Sequence, residues 1–102
     1  MTVPTTLPPL ADAMTARCPV GYMQGSVDRY VQHGILTSRF LTALFSNDLK
    51  DAFRSADEHN VAAMRDWVRF MDNDMPSCVH GSPEKVSAWI AEHEAARRDA
   101  AS

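Results

Sequence analysis

The chain has 102 residues, of which 45% are hydrophobic and 23% charged, and its formal net charge is −3. This length allows one compact domain and excludes two, and the ordinary hydrophobic content excludes wholesale disorder. The acidic balance argues against a free-standing nucleic-acid binder, which needs a basic face to neutralise phosphates, so we expect no direct nucleic-acid partner. Because a core of this size is marginal alone, homo-oligomerisation stays open.

The sequence carries no targeting or membrane signal. Residues 1–10 contain no basic side chain and no continuous apolar run, so they do not form a secretory signal. No stretch approaches the roughly 18 apolar residues of a membrane span. Cys18 and Cys78 are too few for a disulfide framework, and we expect two reduced thiols. These features predict a cytoplasmic protein without a membrane partner.

The N-terminal quarter of the chain is rich in residues that break helices. Four of the six prolines and two of the four glycines lie within residues 1–25. Proline removes a backbone donor and glycine enlarges the unfolded ensemble, so we predict a flexible tail here. Tyr22 and Met23 nevertheless give this tail two side chains that it can bury against the core.

The first two predicted helices are bounded by capping residues. Ser26 stands where an N-cap is wanted for a helix over residues 27–33, and Gly34 supplies the left-handed residue that ends it. Thr37 or Ser38 caps the second helix. Its apolar face is formed by Phe40, Leu41, Leu44 and Phe45.

The next two predicted helices each begin at an aspartate. Asn47 tolerates the left-handed conformation that ends the second helix, and Asp48 caps the third, which favours two short helices over one long one. Asp57 caps the longest predicted helix, residues 58–73, the expected spine of the core. The apolar stripes of these helices are Leu49, Ala52, Phe53 and Ala56 in the third, and Val61, Met64, Trp67, Val68 and Met71, with Phe70 beside them, in the fourth.

A loop punctuated by Pro76 and Gly81 precedes the last helix, which starts at Ser82-Pro83-Glu84 with a cap, a proline in the first turn and an acid. The Ala-rich end, residues 98–102, is expected to fray. The sequence shows no period-2 alternation of apolar and polar residues, so we predict no strand. We therefore predict an all-α fold, a compact bundle of about five short helices spanning residues 26–97.

No catalytic, cofactor or metal motif is visible. Cys78 and His80 form a two-ligand fragment to which only Cys18 could add, whereas zinc needs three or four ligands. No serine or cysteine stands in a nucleophile elbow, and the isolated glycines exclude a phosphate-cradling loop. His33 is interpreted as a helix-end cap, and His80 as a loop residue that packs against Trp89 or caps a helix. We predict no catalytic residue, no cofactor and no metal.

Several short motifs, in this order along the chain, carry a resemblance. They are Asp28 to Gly34, Phe40 to Ala43, Ser46 to Leu49, Ala56-Asp57 with Asn60, Asn73 to Pro76, and Gly81 to Val86 with Trp89. The pattern resembles a group of small uncharacterised helical proteins encoded by tailed phages and prophages of proteobacteria, over about residues 27–90. That group has no activity to transfer residue by residue. The resemblance implies a phage accessory protein that acts in the host cytoplasm.

The first functional hypothesis is a non-enzymatic interaction protein that occupies a surface on a host or phage protein. Inhibition of a host defence system is its sharpest version. An acidic protein can also compete for a basic groove on its partner. The residues predicted to make such contacts are Asp48, Asp57, Asp66, Asp72 and Asp74.

The alternative hypothesis is a protein that binds or sequesters a small ligand of the nucleotide type. Such a protein needs a pocket with convergent polar groups, and two arginines could contact phosphates. The candidate residues are Asn47, Asn60, Arg65, Arg69, Asn73 and His80, beside Asp57. An enzyme is disfavoured because no positioned nucleophile and base can be named.

Overall fold

The structure, a computed structural model, describes residues 16–101. Within this range the chain forms six α-helices and two 3-10 turns joined by short connecting segments. The helices are α1 (Gln24–His33), α2 (Arg39–Phe45), α3 (Leu49–Ser55), α4 (Glu58–Ala62), α5 (Met64–Asn73) and α6 (Pro83–Ala101), and the 3-10 turns are Gly21–Met23 and Ser77–Val79. No strand occurs in this range, which confirms the predicted all-α bundle. None of its helices is long and apolar enough to span a bilayer.

Helix α1 begins at Gln24, three residues before its predicted start. Ser26 lies inside the helix and is not its N-cap. Cys18 and Val20 are buried in the core, so the packed part of the chain begins ahead of residue 26. Burial of these two side chains outweighs the breaking tendency of the nearby proline and glycines. The rest of the predicted tail, residues 1–15, lies outside the described residues.

The boundary between α2 and α3 follows the prediction closely. Asn47 adopts a left-handed φ of 63°, and the backbone N–H of Asp48 donates to the Ala43 carbonyl at 2.8 Å. This is the hydrogen bond of a Schellman motif, which closes a helix at a left-handed residue. The side chain of Asp48 then accepts from the backbone N–H of Asp51 at 3.2 Å and caps α3. Two short helices therefore replace one long helix, as predicted.

The predicted helix over residues 58–73 is two helices. Asp57 caps α4 as expected, accepting from the Asn60 backbone N–H at 2.8 Å. The backbone then leaves helical geometry at Ala63, where φ is −95° and ψ is 8°. The apolar periodicity continues across this residue, so the sequence pattern gives no sign of the break.

The longest helix is α6, with 19 residues, and not the predicted 58–73 segment. Ser82 accepts from the Lys85 backbone N–H at 3.2 Å, which confirms the predicted helix start. The helix continues to Ala101, through residues that were expected to fray. Alanine, glutamate and arginine dominate this end and are among the strongest helix formers.

Aromatic side chains hold the core together. Trp67 is fully buried and makes edge-to-face contacts with Phe40 and Phe70 at 5.9 Å between ring centroids. Tyr30 donates to the Val79 carbonyl at 2.6 Å, and its own carbonyl accepts from the indole N–H of Trp89 at 2.8 Å. Tyr30 thereby joins α1 to the loop before α6 and to α6 itself.

Candidate partner-binding groove

Two apolar stripes that the sequence assigned to the core are only partly covered. On α3, Leu49 and Phe53 are 66% and 45% exposed, while Ala52 is buried. On the α4–α5 segment, Val61 and Val68 are 44% and 48% exposed. The apolar stripes are therefore not wholly buried. The seven residues of α3 turn Ala52 toward the core and leave the flanking side chains outside.

One exposed side chain from each stripe, Leu49 and Val68, lines a groove between α3 and α5, whereas Phe53 and Val61 lie outside it. The groove encloses about 300 Å³, and most of its wall is apolar. Its apolar lining is formed by Leu44, Leu49, Ala52, Met64, Val68 and Met71. Leu49 and Val68 are the exposed members of this lining, and the other four are buried beneath them. Neighbouring exposed apolar side chains around a concave surface are typical of an interaction site.

Polar groups line the same groove beside the apolar side chains. Asp48 stands at the start of α3 and Asp72 in the last turn of α5, and both are exposed. Asn47 and the half-buried His80 complete this rim. Burial lowers the pKa of His80, so its imidazole is neutral at pH 7 and does not offset the two carboxylates.

His80 lies next to the end of α5 rather than against Trp89. Hydrogen bonding to the carbonyls of Met71 and Met75 raises the pKa of His80, although less than burial lowers it. The ring partner of Trp89 is instead His93, with 4.3 Å between centroids. Among the described residues, the ring that contacts Trp89 is therefore His93, and His80 lies beside the end of α5.

The other predicted partner-binding acids do not lie in the groove. Asp57 accepts a short hydrogen bond from the Tyr22 hydroxyl, which lowers the pKa of Asp57 below its usual range. Asp74 forms a salt bridge with Arg17 at 3.1 Å. Asp66 is exposed on α5 and lines two other clefts. The structure thus divides the predicted acids: Asp48 and Asp72 line the groove, Asp66 and Asp74 line a second cleft, and Asp57 lines neither.

The candidates for a small-ligand site lie in separate places. Asn47 and His80 line the groove, whereas Arg69 and Asn73 line a second cleft beside the Arg17–Asp74 pair. Asn60 is buried, and its side-chain oxygen accepts from the Trp67 indole N–H at 3.0 Å. Arg65 is exposed on α5 and lines none of these clefts. The six predicted residues therefore do not converge on one pocket.

The cysteines and histidines are likewise dispersed. Cys18 is buried, where desolvation raises the pKa of its thiol, and Cys78 is exposed. Within residues 16–101, no three His, Cys, Asp or Glu side chains are placed to hold one metal ion. At the end of α1, the His33 carbonyl accepts from Arg97 at 2.5 Å, so a side chain of α6 satisfies this helix end.

Sequence reasoning placed Leu49, Met64 and Val68 on apolar stripes. It did not anticipate that Leu49 and Val68 stay exposed at one groove, whereas Met64 is buried as the stripe indicates. It also missed the contact of Tyr22 with Asp57. Comparison of the chain with protein-family models, with curated proteins and with solved structures finds no match.

Proposed function

We propose that the protein is a non-enzymatic interaction protein whose groove between α3 and α5 binds a segment of a partner protein. One observation carries this proposal: Leu49 and Val68 line one groove from two helices and are 66% and 48% exposed. Covering such side chains releases about 25 cal/mol for each Å² of apolar surface removed from water. Binding of a partner in the groove releases this free energy, because folding leaves these two side chains exposed to water.

The composition of the groove favours binding over catalysis. Its lining contains no serine, threonine or cysteine, so it offers no hydroxyl or thiol nucleophile to a substrate. Its polar groups lie beside a continuous apolar surface, which is the arrangement of a protein interface with an apolar centre and a polar rim. We therefore place the function in recognition.

The nature of the partner rests on the resemblance to small proteins of tailed phages and prophages. We propose a phage or prophage accessory protein that acts in the host cytoplasm on a host or phage protein. Inhibition of a host defence system is the sharpest form of this proposal. The acids that the sequence singled out enter it through Asp48 and Asp72, which line the groove.

The test is capture of a partner from a proteobacterial lysate by the full chain. The double variant Leu49→Asp, Val68→Asp disables the groove, and Leu36→Asp is the matched control. Leu36 has the same 66% exposure as Leu49 and lies outside the groove. The bait and both variants are first shown to have the same helical content by circular dichroism.

We expect the wild type and the Leu36→Asp control to capture the same protein in stoichiometric amount, and the double variant to capture none of it. The captured protein, once purified, should bind the wild type again. A partner retained by all three baits, or captured by none, would contradict the proposal. A thermal-shift panel of nucleotides provides a separate check. Stabilisation by one nucleotide that the double variant retains would favour the small-ligand alternative.

A further inference from the structure

We infer that the occupant of the groove is an amphipathic helix of the partner, with apolar side chains in the groove and a lysine or arginine against Asp72. This inference rests on the proposed function and names the chemistry of the partner segment. It follows from the hydrogen bonding of the walls, the charge of the rim and the side chains of the floor.

The walls of the groove favour a helix over an extended segment. Both walls, α3 and α5, are helices whose internal backbone groups already bond within the helix. An extended segment would bring backbone donors and acceptors against an apolar surface that cannot pair them, at a cost of several kcal/mol. A helix satisfies its own backbone and presents only side chains, which is the helix-in-groove mode of recognition.

The charge of the rim selects a basic side chain. Asp48 and Asp72 are the acidic residues that line the groove, and neither lysine nor arginine is among its lining residues. Asp72 lies in the last turn of α5, where the helix dipole adds a partial negative charge. The ammonium group of Lys85, which also acts on His80, donates from Nζ to the Ser77 carbonyl at 3.2 Å. A cation of the partner is therefore most stable beside Asp72.

The floor of the groove determines how strict the apolar contacts are. Met64 and Met71 lie there, and both are buried. Methionine side chains are unbranched and adapt to different shapes. The floor therefore accepts leucine, isoleucine, methionine or phenylalanine, so the selective element is the charge at the rim and not the shape of one anchor.

The experiment selects binders from displayed random peptides of about 16 residues, long enough to form a helix. The bait is the full chain. The recovered peptides are synthesised, and their dissociation constants are measured by fluorescence anisotropy at low and high ionic strength. Three variants of the bait are compared: Leu49→Asp, Asp72→Asn and the control Asp66→Asn, which makes the same change on the same helix outside the groove.

We expect a consensus of apolar residues at spacing i and i+3 or i+4 with one lysine or arginine. Leu49→Asp should weaken binding at least about tenfold. Asp72→Asn should weaken it about two- to fivefold at low ionic strength, with the difference lost at high salt, and Asp66→Asn should have no effect. A proline at the centre of the peptide should abolish binding because it breaks the helix.

The outcomes separate this inference from the proposed function. Peptides that need Leu49 but carry no basic residue, or that bind equally well to Asp72→Asn or with a central proline, would overturn the inference and leave the groove as a binding site. Peptides insensitive to Leu49→Asp would overturn both. Self-association in sedimentation that Leu49→Asp abolishes would assign the groove to a second copy of the chain, and would overturn the inference as well.

Discussion

Gly34 and His93 are in close contact: a Cβ built at residue 34 would lie 2.5 Å from the Cβ of His93. Gly34 ends α1 with a left-handed φ of 63°, and His93 lies on the side of α6 that packs there. Glycine is therefore required at position 34 for two independent reasons. The left-handed backbone disfavours any residue with a side chain, and His93 leaves no space for a Cβ atom. Helix α6 can approach α1 only because residue 34 is glycine.

Replacement of Gly34 tests this contact. We expect Gly34→Ala to lower the free energy of unfolding by about 2–4 kcal/mol, from left-handed strain and overpacking together. Gly21→Ala is the matched control, because no atom lies within 4 Å of its added Cβ. Urea denaturation followed by circular dichroism measures both. Equal stability of the two variants would show that α6 does not pack this closely.

A second prediction concerns the buried pair of Asn60 and Trp67. Asn60 is 2% exposed and its side-chain oxygen accepts from the indole N–H. Asn60→Ala leaves that donor buried without a partner, so the free energy of unfolding should fall by about 1–3 kcal/mol. The exposed Asn73→Ala should change it by less than about 0.5 kcal/mol. If the two substitutions cost the same, Asn60 has no special role in the core.

A matched pair of valine substitutions separates the groove from the core. Val68→Thr, at a half-exposed groove position, should change the free energy of unfolding by less than about 0.5 kcal/mol. Val79→Thr, at a position that is 0% exposed, should cost about 1–3 kcal/mol because it buries a hydroxyl. Denaturant titration checks both. A large loss at Val68 would mean that the groove is part of the core and not a binding surface.

The contact of Tyr22 with Asp57 predicts a dependence of stability on pH. The hydrogen bond lowers the pKa of Asp57 and raises that of Tyr22. A carboxyl with a lowered pKa stabilises the fold above its unfolded pKa, and this contribution disappears as the pH falls through the folded pKa. The wild type should therefore have a higher Tm than Tyr22→Phe at pH 7, and this difference should shrink as the pH falls below the unfolded aspartate value near 3.9.

At alkaline pH the difference in Tm between the wild type and Tyr22→Phe should disappear for a different reason. Because the pKa of Tyr22 is raised in the folded protein, its hydrogen bond to Asp57 stabilises the fold below the pKa of an unfolded tyrosine. Above the folded-state pKa, the ionised phenol places a second negative charge beside Asp57. Melting curves of both proteins across the pH range measure the effect. A gap that is constant from acid to alkali would show that Tyr22 and Asp57 are not bonded.

His80 gives the groove its own pH response. Burial lowers the pKa of His80, so the folded protein resists its protonation, and stability should fall as the pH drops through the unfolded histidine value near 6.5. The charge of Asp72 opposes this shift and that of Lys85 reinforces it. His80→Gln should lose less stability than the wild type between pH 7 and pH 5. Identical losses in melting temperature would contradict this assignment.

The amino-acid sequence alone determined the features that depend on neighbouring residues. Ser38, Asp48, Asp57 and Ser82 each cap the helix that follows, because a short polar side chain pairs the free backbone donors of the next turn wherever the domain places it. Gly34 and Asn47 end their helices through a local backbone preference. These residues made the all-α class and most helix boundaries predictable.

Only the tertiary structure decided how much of each apolar stripe is covered. Periodicity marks which side of a helix is apolar, but burial depends on which helices meet, at what distance and over what length. The spacing of Leu49 and Val68 places them on apolar stripes and predicts that they face the core. They lie on the surface because no other element in residues 16–101 covers them. The same packing placed Asn60 inside against Trp67 and brought Asp48 and Asp72, distant in sequence, to one groove.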